Sequence, residues 1–181
     1  MHKAEVLLAG LGGQGVRLAG DILARACTLA GRHVSVLPSY GAEARGTLIR
    51  SEVVISDEDI IYPGVLEPAV VVAFSQEAYD YLLNSVSKQT LVFYDPASVT
   101  PTTSDSSPAR QYPIGAIEAA SDLGNAKAGN MVMLGAVAAS SELISKKTLE
   151  EVLSDGPKKR AETSVRALRR GFELASQQMG S

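Results

Sequence analysis

The stretch Val6-Leu7-Leu8-Ala9-Gly10-Leu11-Gly12-Gly13-Gln14-Gly15-Val16 decides the fold of this 181-residue chain. Four apolar residues without alternation predict a strand buried on both faces, the habit of parallel sheets. The glycines then allow a tight turn. From residue 16 to 30 the apolar spacing is helical: Ile22, Leu23, Ala26 and Leu29 form a stripe, with Arg17, Asp21 and Arg25 off it. Gly31 ends the helix, and residues 33–37 read as a second strand closed by Pro38. Strand, turn, helix and strand make a βαβ unit, whose crossovers are right-handed and whose strands run parallel.

Outward from this unit, residues 39–46 are polar and glycine-containing, hence a loop. Residues 47–56 alternate, with Ile49, Ser51, Val53 and Ile55 on one side and Leu48, Arg50, Glu52 and Val54 on the other. Such a strand belongs near a sheet edge or in a hairpin. Further strands are expected at 69–74, 90–94 and 112–114, with a helix after the first of these. The Ser-, Thr- and Asp-rich stretch 101–108 is expected to be an exposed loop. Helices at 116–123, 130–143, 148–153 and 158–178 fill the last third, the final one with Val165, Leu168, Phe172 and Ala175 on one stripe. The predicted fold is therefore α/β: a single Rossmann-like domain over 1–181, a mostly parallel sheet flanked by helices, with a helical C-terminal third.

Composition excludes several functions. A net charge of -3 and 5% aromatics supply neither a basic field nor a stacking platform for nucleic acid. The one cysteine, Cys27, falls near the apolar helical stripe and reads as core; alone it cannot hold a zinc site or an iron–sulfur cluster. No apolar run approaches the roughly 20 residues of a membrane span, and the N-terminus lacks a signal-peptide pattern, so the cytoplasm is the expected location. His2 and His33 have no nucleophile beside them in sequence.

Gly10, Gly12 and Gly15 have the spacing G-x-G-x-x-G between a strand and a helix. Glycine lets the backbone approach a phosphate, and the helix start aims free N–H groups at an anion. Gly13 widens the opening, and the Gln14 amide can donate or accept. A dinucleotide site also needs an acidic residue at the end of the second strand. That strand ends at Leu37-Pro38, and Glu43 comes only after a loop. The turn thus leaves three readings open: a dinucleotide, another anionic ligand or partner subunit, or simple strand–helix packing. Ser39, Tyr40, Gly41, Glu43, Arg45 and Gly46 leave the same sheet edge, and Arg45 offers a planar fork for phosphate or carboxylate. Asn130 is expected to cap the helix that follows it, and Lys158-Lys159-Arg160 reads as a solvated basic run.

Taken together, Gly12-Gly13-Gln14-Gly15, Pro38-Ser39-Tyr40-Gly41, Glu43-Ala44-Arg45-Gly46, the strand from Arg50 to Ser56, and Asn130-Met131 with Leu134-Gly135 resemble the gamma subunit of 2-oxoacid:ferredoxin oxidoreductases. The resemblance spans nearly the whole chain. It implies a subunit without turnover of its own, inside an enzyme that oxidatively decarboxylates a 2-oxoacid to an acyl-CoA and passes electrons to ferredoxin. The Ser-Tyr-Gly loop looks most like the 2-oxoglutarate and branched-chain versions. Thiamine diphosphate, Mg²⁺ and iron–sulfur clusters are implied in partner alpha, beta and ferredoxin-like subunits, none of them on this chain. The gamma part is implied to shape the active-site entrance and help bind coenzyme A. Thr47 and Ser164 depart from the family's pattern. Alternatives from the residues alone are a stand-alone nucleotide-dependent oxidoreductase and a non-catalytic anion-binding module.

Overall fold

In the computed structural model the nine residues Lys3–Leu11 form β1, a central strand of a six-stranded sheet ordered β2-β3-β1-β4-β5-β6. The structure describes residues 3–40, 48–102 and 110–179. The other strands are β2 (His33–Tyr40), β3 (Leu48–Ser56), β4 (Val70–Ala73), β5 (Leu91–Tyr94) and β6 (Arg110–Pro113). β1, β4, β5 and β6 pair in parallel, as their unbroken apolar runs predict.

The other half of the sheet keeps the expected hairpin but not the expected neighbours of β1. β3 forms a hairpin-like antiparallel pair with β2, but it also pairs antiparallel with β1. It is therefore an interior strand. β1 and β2 run in the same direction without touching, since β3 stands between them. The alternation of β3 fits the hairpin, and its polar side is partly met by protein: the Glu52 carboxylate accepts the Val65 N–H at 2.9 Å, and the Arg50 guanidinium donates to Ser39 Oγ at 2.9 Å and to the Tyr81 hydroxyl.

Five of the six helices belong to one layer or pack onto it. Val6, Leu8, Val53, Ile55, Val70, Val72 and Phe93 face α1 (Val16–Leu29) and α4 (Gly129–Ser141), and α3 (Ala116–Asp122), α5 (Lys146–Ser154) and α6 (Lys158–Met179) complete that core. The opposite face carries Leu7, Ala9, Val71, Ala73 and Val92 against α2 (Gln76–Leu82). Ile22, Leu23, Ala26 and Cys27 are buried in α1, whereas Leu29 at its end is 54% exposed.

Ten residues of α4 are buried, so it is the hydrophobic centre of the helical layer and has no polar face over most of its length. Two glycines let it meet α6 backbone to backbone. A Cβ on Gly135 would lie 2.1 Å from the Leu168 carbonyl oxygen, and one on Gly171 would lie 1.9 Å from that of Val132. No helix among the described residues is long and apolar enough to cross a membrane.

Candidate functional site

The chain leaves β1 toward α1 and β2 on one side of the sheet, while β4 lies on the other. Such a switch point opens a crevice at the C-terminal ends of the parallel strands, where open α/β sheets hold ligands. The glycine turn sits there. Gln14 closes it from within: Oε1 accepts the Leu11 N–H at 2.6 Å and Nε2 donates to the Phe74 carbonyl at 2.7 Å. Its amide is thus a clasp between the ends of β1 and β4. Gly10 is required because a Cβ would strike Gln14 Oε1 at 2.6 Å and Phe74 Cβ at 2.8 Å. Gly15 has φ +76°, and its Cβ would lie 2.2 Å from Asn130 Nδ2. Gly12 and Gly13 are exposed, and no such obstruction stands over either.

Beside the turn lies a cavity of about 260 Å³ lined by Gly13, Gln14, Phe74, Ile117, Asn130 and Met133, with Asp95 at its base. Asp95 is buried, but its two oxygens are held by the N–H groups of Ala97 at 2.8 Å and Ile117 at 2.7 Å. It therefore serves as the N-terminal anion of α3.

Gly13, Lys127 and Asn130 also border an adjoining recess of about 620 Å³, walled by Gly15, Lys159, Arg160, Thr163 and Ser164, among others. Three cationic side chains line it and no carboxylate does. Three helix starts converge on the same space, those of α1, α4 and α6. α1 and α4 have no side-chain cap and no acid in their first turns, unlike α2 and α5, capped by Ser75 and Ser145. α6 carries Lys158, Lys159 and Arg160 in its first turn, where cations oppose the helix dipole by about 0.3–1 kcal/mol each. An anion in the recess relieves that opposition and faces the positive end of α1, whereas the Gly129 and Arg160 N–H groups are already given to the Ala126 and Pro157 carbonyls.

Of the sequence-predicted residues, Gly10, Gly12, Gly13, Gln14 and Gly15 are together at this edge. Register brings the end of β2 to the same level: Tyr40 pairs with Ile49, which pairs in turn with Gly10. Ser39 Oγ is engaged by Arg50. Gly41, Glu43, Arg45, Gly46 and Thr47 lie outside the described residues. Asn130 does not cap a helix as expected: α4 already begins at Gly129, and Asn130 Nδ2 donates to the Gly15 carbonyl at 3.2 Å, tying α4 to the turn. The basic run at 158–160 is not merely solvated, since Lys159 and Arg160 face the recess. Lys127 went unnoticed in sequence; the signal available was a set of basic residues at helix starts that lack acids and caps. Burial pushes the Cys27 thiol up to about 11, with Arg32 pulling it down, so it stays an unreactive thiol in the core. Among the described residues no three His, Cys, Asp or Glu side chains group as a metal site.

Residues 5–174 match the pyruvate ferredoxin/flavodoxin oxidoreductase family. The chain belongs to that family. It is 36% identical over 178 residues to the 2-oxoglutarate synthase subunit KorC of Methanocaldococcus jannaschii, covering 97% of this chain and 95% of that one. The gamma subunit of a keto/oxoacid ferredoxin oxidoreductase from Geobacter sulfurreducens PCA superposes with a TM-score of 0.84 at 32% identity, over 96% of this chain and 99% of that one. The 2-oxoglutarate:ferredoxin oxidoreductase of Magnetococcus marinus, solved with 2-oxoglutarate, coenzyme A and succinyl-CoA bound, superposes with a TM-score of 0.88 at 30% identity. There the match covers 98% of this chain but 32% of the longer one. The homologues are subunits of 2-oxoacid:ferredoxin oxidoreductases, and this chain is of the small, gamma type.

Proposed function

We propose that this gamma-type domain, residues 1–181, works within a cytoplasmic multi-subunit 2-oxoacid:ferredoxin oxidoreductase and binds the phosphate-bearing end of coenzyme A at the glycine-turn edge. The observation that carries this reading is the recess between the starts of α1, α4 and α6, lined by Lys127, Lys159 and Arg160 and by no acid. Coenzyme A is a polyanion with an apolar, uncharged arm. Its phosphates suit the three cations and the positive end of α1. The adjoining cavity, walled by Phe74, Ile117 and Met133, suits the arm and directs it along the sheet edge. Tyr40, Glu43 and Arg45 belong to the same reading from the sequence, where Arg45 is the residue whose planar fork suits a carboxylate or phosphate.

The chemistry belongs to partners. Alpha and beta subunits supply thiamine diphosphate with Mg²⁺, which stabilises the carbanion left by decarboxylation, and a ferredoxin-like subunit with iron–sulfur clusters carries electrons toward ferredoxin. This chain has a single cysteine, buried in the core, so cysteine ligation of an iron–sulfur cluster falls to the partners in this reading. Its own residues bind and orient coenzyme A and exclude water from the meeting point. The substrate is 2-oxoglutarate or a branched-chain 2-oxoacid.

The test is a charge reversal in the assembled enzyme. Lys127→Glu with Arg160→Glu is expected to raise KM for coenzyme A by about ten- to a hundredfold, with KM for the 2-oxoacid unchanged. An unaltered KM for coenzyme A overturns the reading. A chain that binds coenzyme A but never travels with larger subunits would be an anion-binding module instead.

A further inference from the structure

The segment 57–69 joins β3 to β4 at the N-terminal ends of the parallel strands, the opposite pole from the glycine turn. It is held firmly from beneath. Glu5 Oε2 accepts the N–H groups of Leu66 at 2.5 Å and Glu67 at 2.7 Å, Glu52 Oε2 accepts that of Val65 at 2.9 Å, and the Ser35 hydroxyl donates to the Pro63 carbonyl at 3.1 Å. Val65 packs on the core, yet three other large side chains point into water: Ile61 is 98% exposed, Leu66 65% and Tyr62 54%. The anchors at Pro63, Val65, Leu66 and Glu67 flank these side chains and hold the backbone that carries Leu66. Apolar side chains held in place before contact lower the ordering cost of association.

Charge decides what covers them. Asp57, Glu58, Asp59 and Glu67 belong to this segment; Arg32 meets Asp57, His33 meets Asp59, and Lys3 is engaged by Glu5 beneath it, so the exposed charge of the segment is acidic on balance. A two-fold dimer through this patch would press the acidic rim against its own image. In the Magnetococcus marinus enzyme the matching region is 32% of a longer chain. There the domain and the remainder are parts of one chain.

We propose that segment 57–69 docks into an apolar, basic-rimmed pocket on the larger subunit that corresponds to the remainder of that longer chain. The proposal rests on the oxidoreductase-subunit reading above. The test is co-elution of this chain with the larger subunits after co-expression. Ile61→Asp with Leu66→Asp is expected to weaken the association by at least about tenfold, with the melting temperature of the free chain unchanged. Glu58→Lys with Glu67→Lys, which leaves the apolar side chains in place, is expected to weaken it as well, and added salt is expected to weaken the wild-type association. Both variants assembling like wild type overturns the proposal. So does a free chain that sediments as a dimer and is split by the same substitutions. KM for coenzyme A in the charge-reversed recess variant judges the coenzyme A reading separately.

Discussion

Replacing Gln14 with alanine would leave the Leu11 N–H and the Phe74 carbonyl without partners at the point where two parallel strands end. The expected loss is about 2–3 kcal/mol in urea unfolding, the cost of two part-buried polar groups left unpaired. Gln14→Glu separates the two bonds. It keeps an acceptor for Leu11 but sets a carboxylate oxygen against the Phe74 carbonyl, so it is expected to destabilise more at pH 7 than near pH 4, where the protonated acid donates again. Glu5 has the opposite dependence. Burial by itself raises its pKa, but Lys3 at 2.6 Å and the N–H groups of Glu67 and Leu66 outweigh burial and hold it below its ordinary 4.5. A depressed folded pKa contributes stability that is full above the unfolded value and is lost as pH falls through the folded one. Glu5→Gln is therefore expected to lower stability at neutral pH and flatten the acid side of the profile, read as melting temperature against pH.

At the scale of elements, the crossing of α4 and α6 is the least tolerant contact described. Gly171→Ala puts a methyl group where the Val132 carbonyl oxygen and the Ala136 N already stand. Backbone obstacles cannot rotate aside, so the expected penalty is at or above the roughly 1–3 kcal/mol of ordinary overpacking, seen as a drop in melting temperature with the helical content of the native state retained. The sequence reveals β1, its turn and α1 because each is set by neighbours within a few residues: an unbroken apolar run, glycines, then a helical stripe. The position of β3 is not legible in that way. Its alternation reports one polar face, but whether water or protein meets Glu52 and Arg50 depends on the segment 57–69 and on Tyr81, set by tertiary contacts. The recess escapes for a similar reason. Lys127 and Arg160 are far apart in the chain and become neighbours only because α6 packs on α4 and on the turn Ala126–Ala128 that precedes it. Asn130, expected as a cap, is drawn instead to the Gly15 carbonyl, a partner 115 residues away.

At the scale of the whole molecule, two poles differ in charge and use. The glycine-turn pole gathers cations around a concave site, and the opposite pole offers an acidic-rimmed apolar projection. As a chain of the small, gamma type, it is expected to show no oxidation of 2-oxoacids on its own and to acquire a role only in the assembled enzyme; ferredoxin reduction assayed with and without the larger subunits checks this. The backbone contact between α4 and α6 has a kinetic corollary. Both helices wall the recess, and Gly135 and Gly171 lock them together, so these walls cannot slide apart to admit a ligand. Capture there is expected to need no parting of α4 and α6: in stopped-flow mixing, the observed rate should climb in proportion to ligand concentration with no plateau, and fall as salt screens the approach.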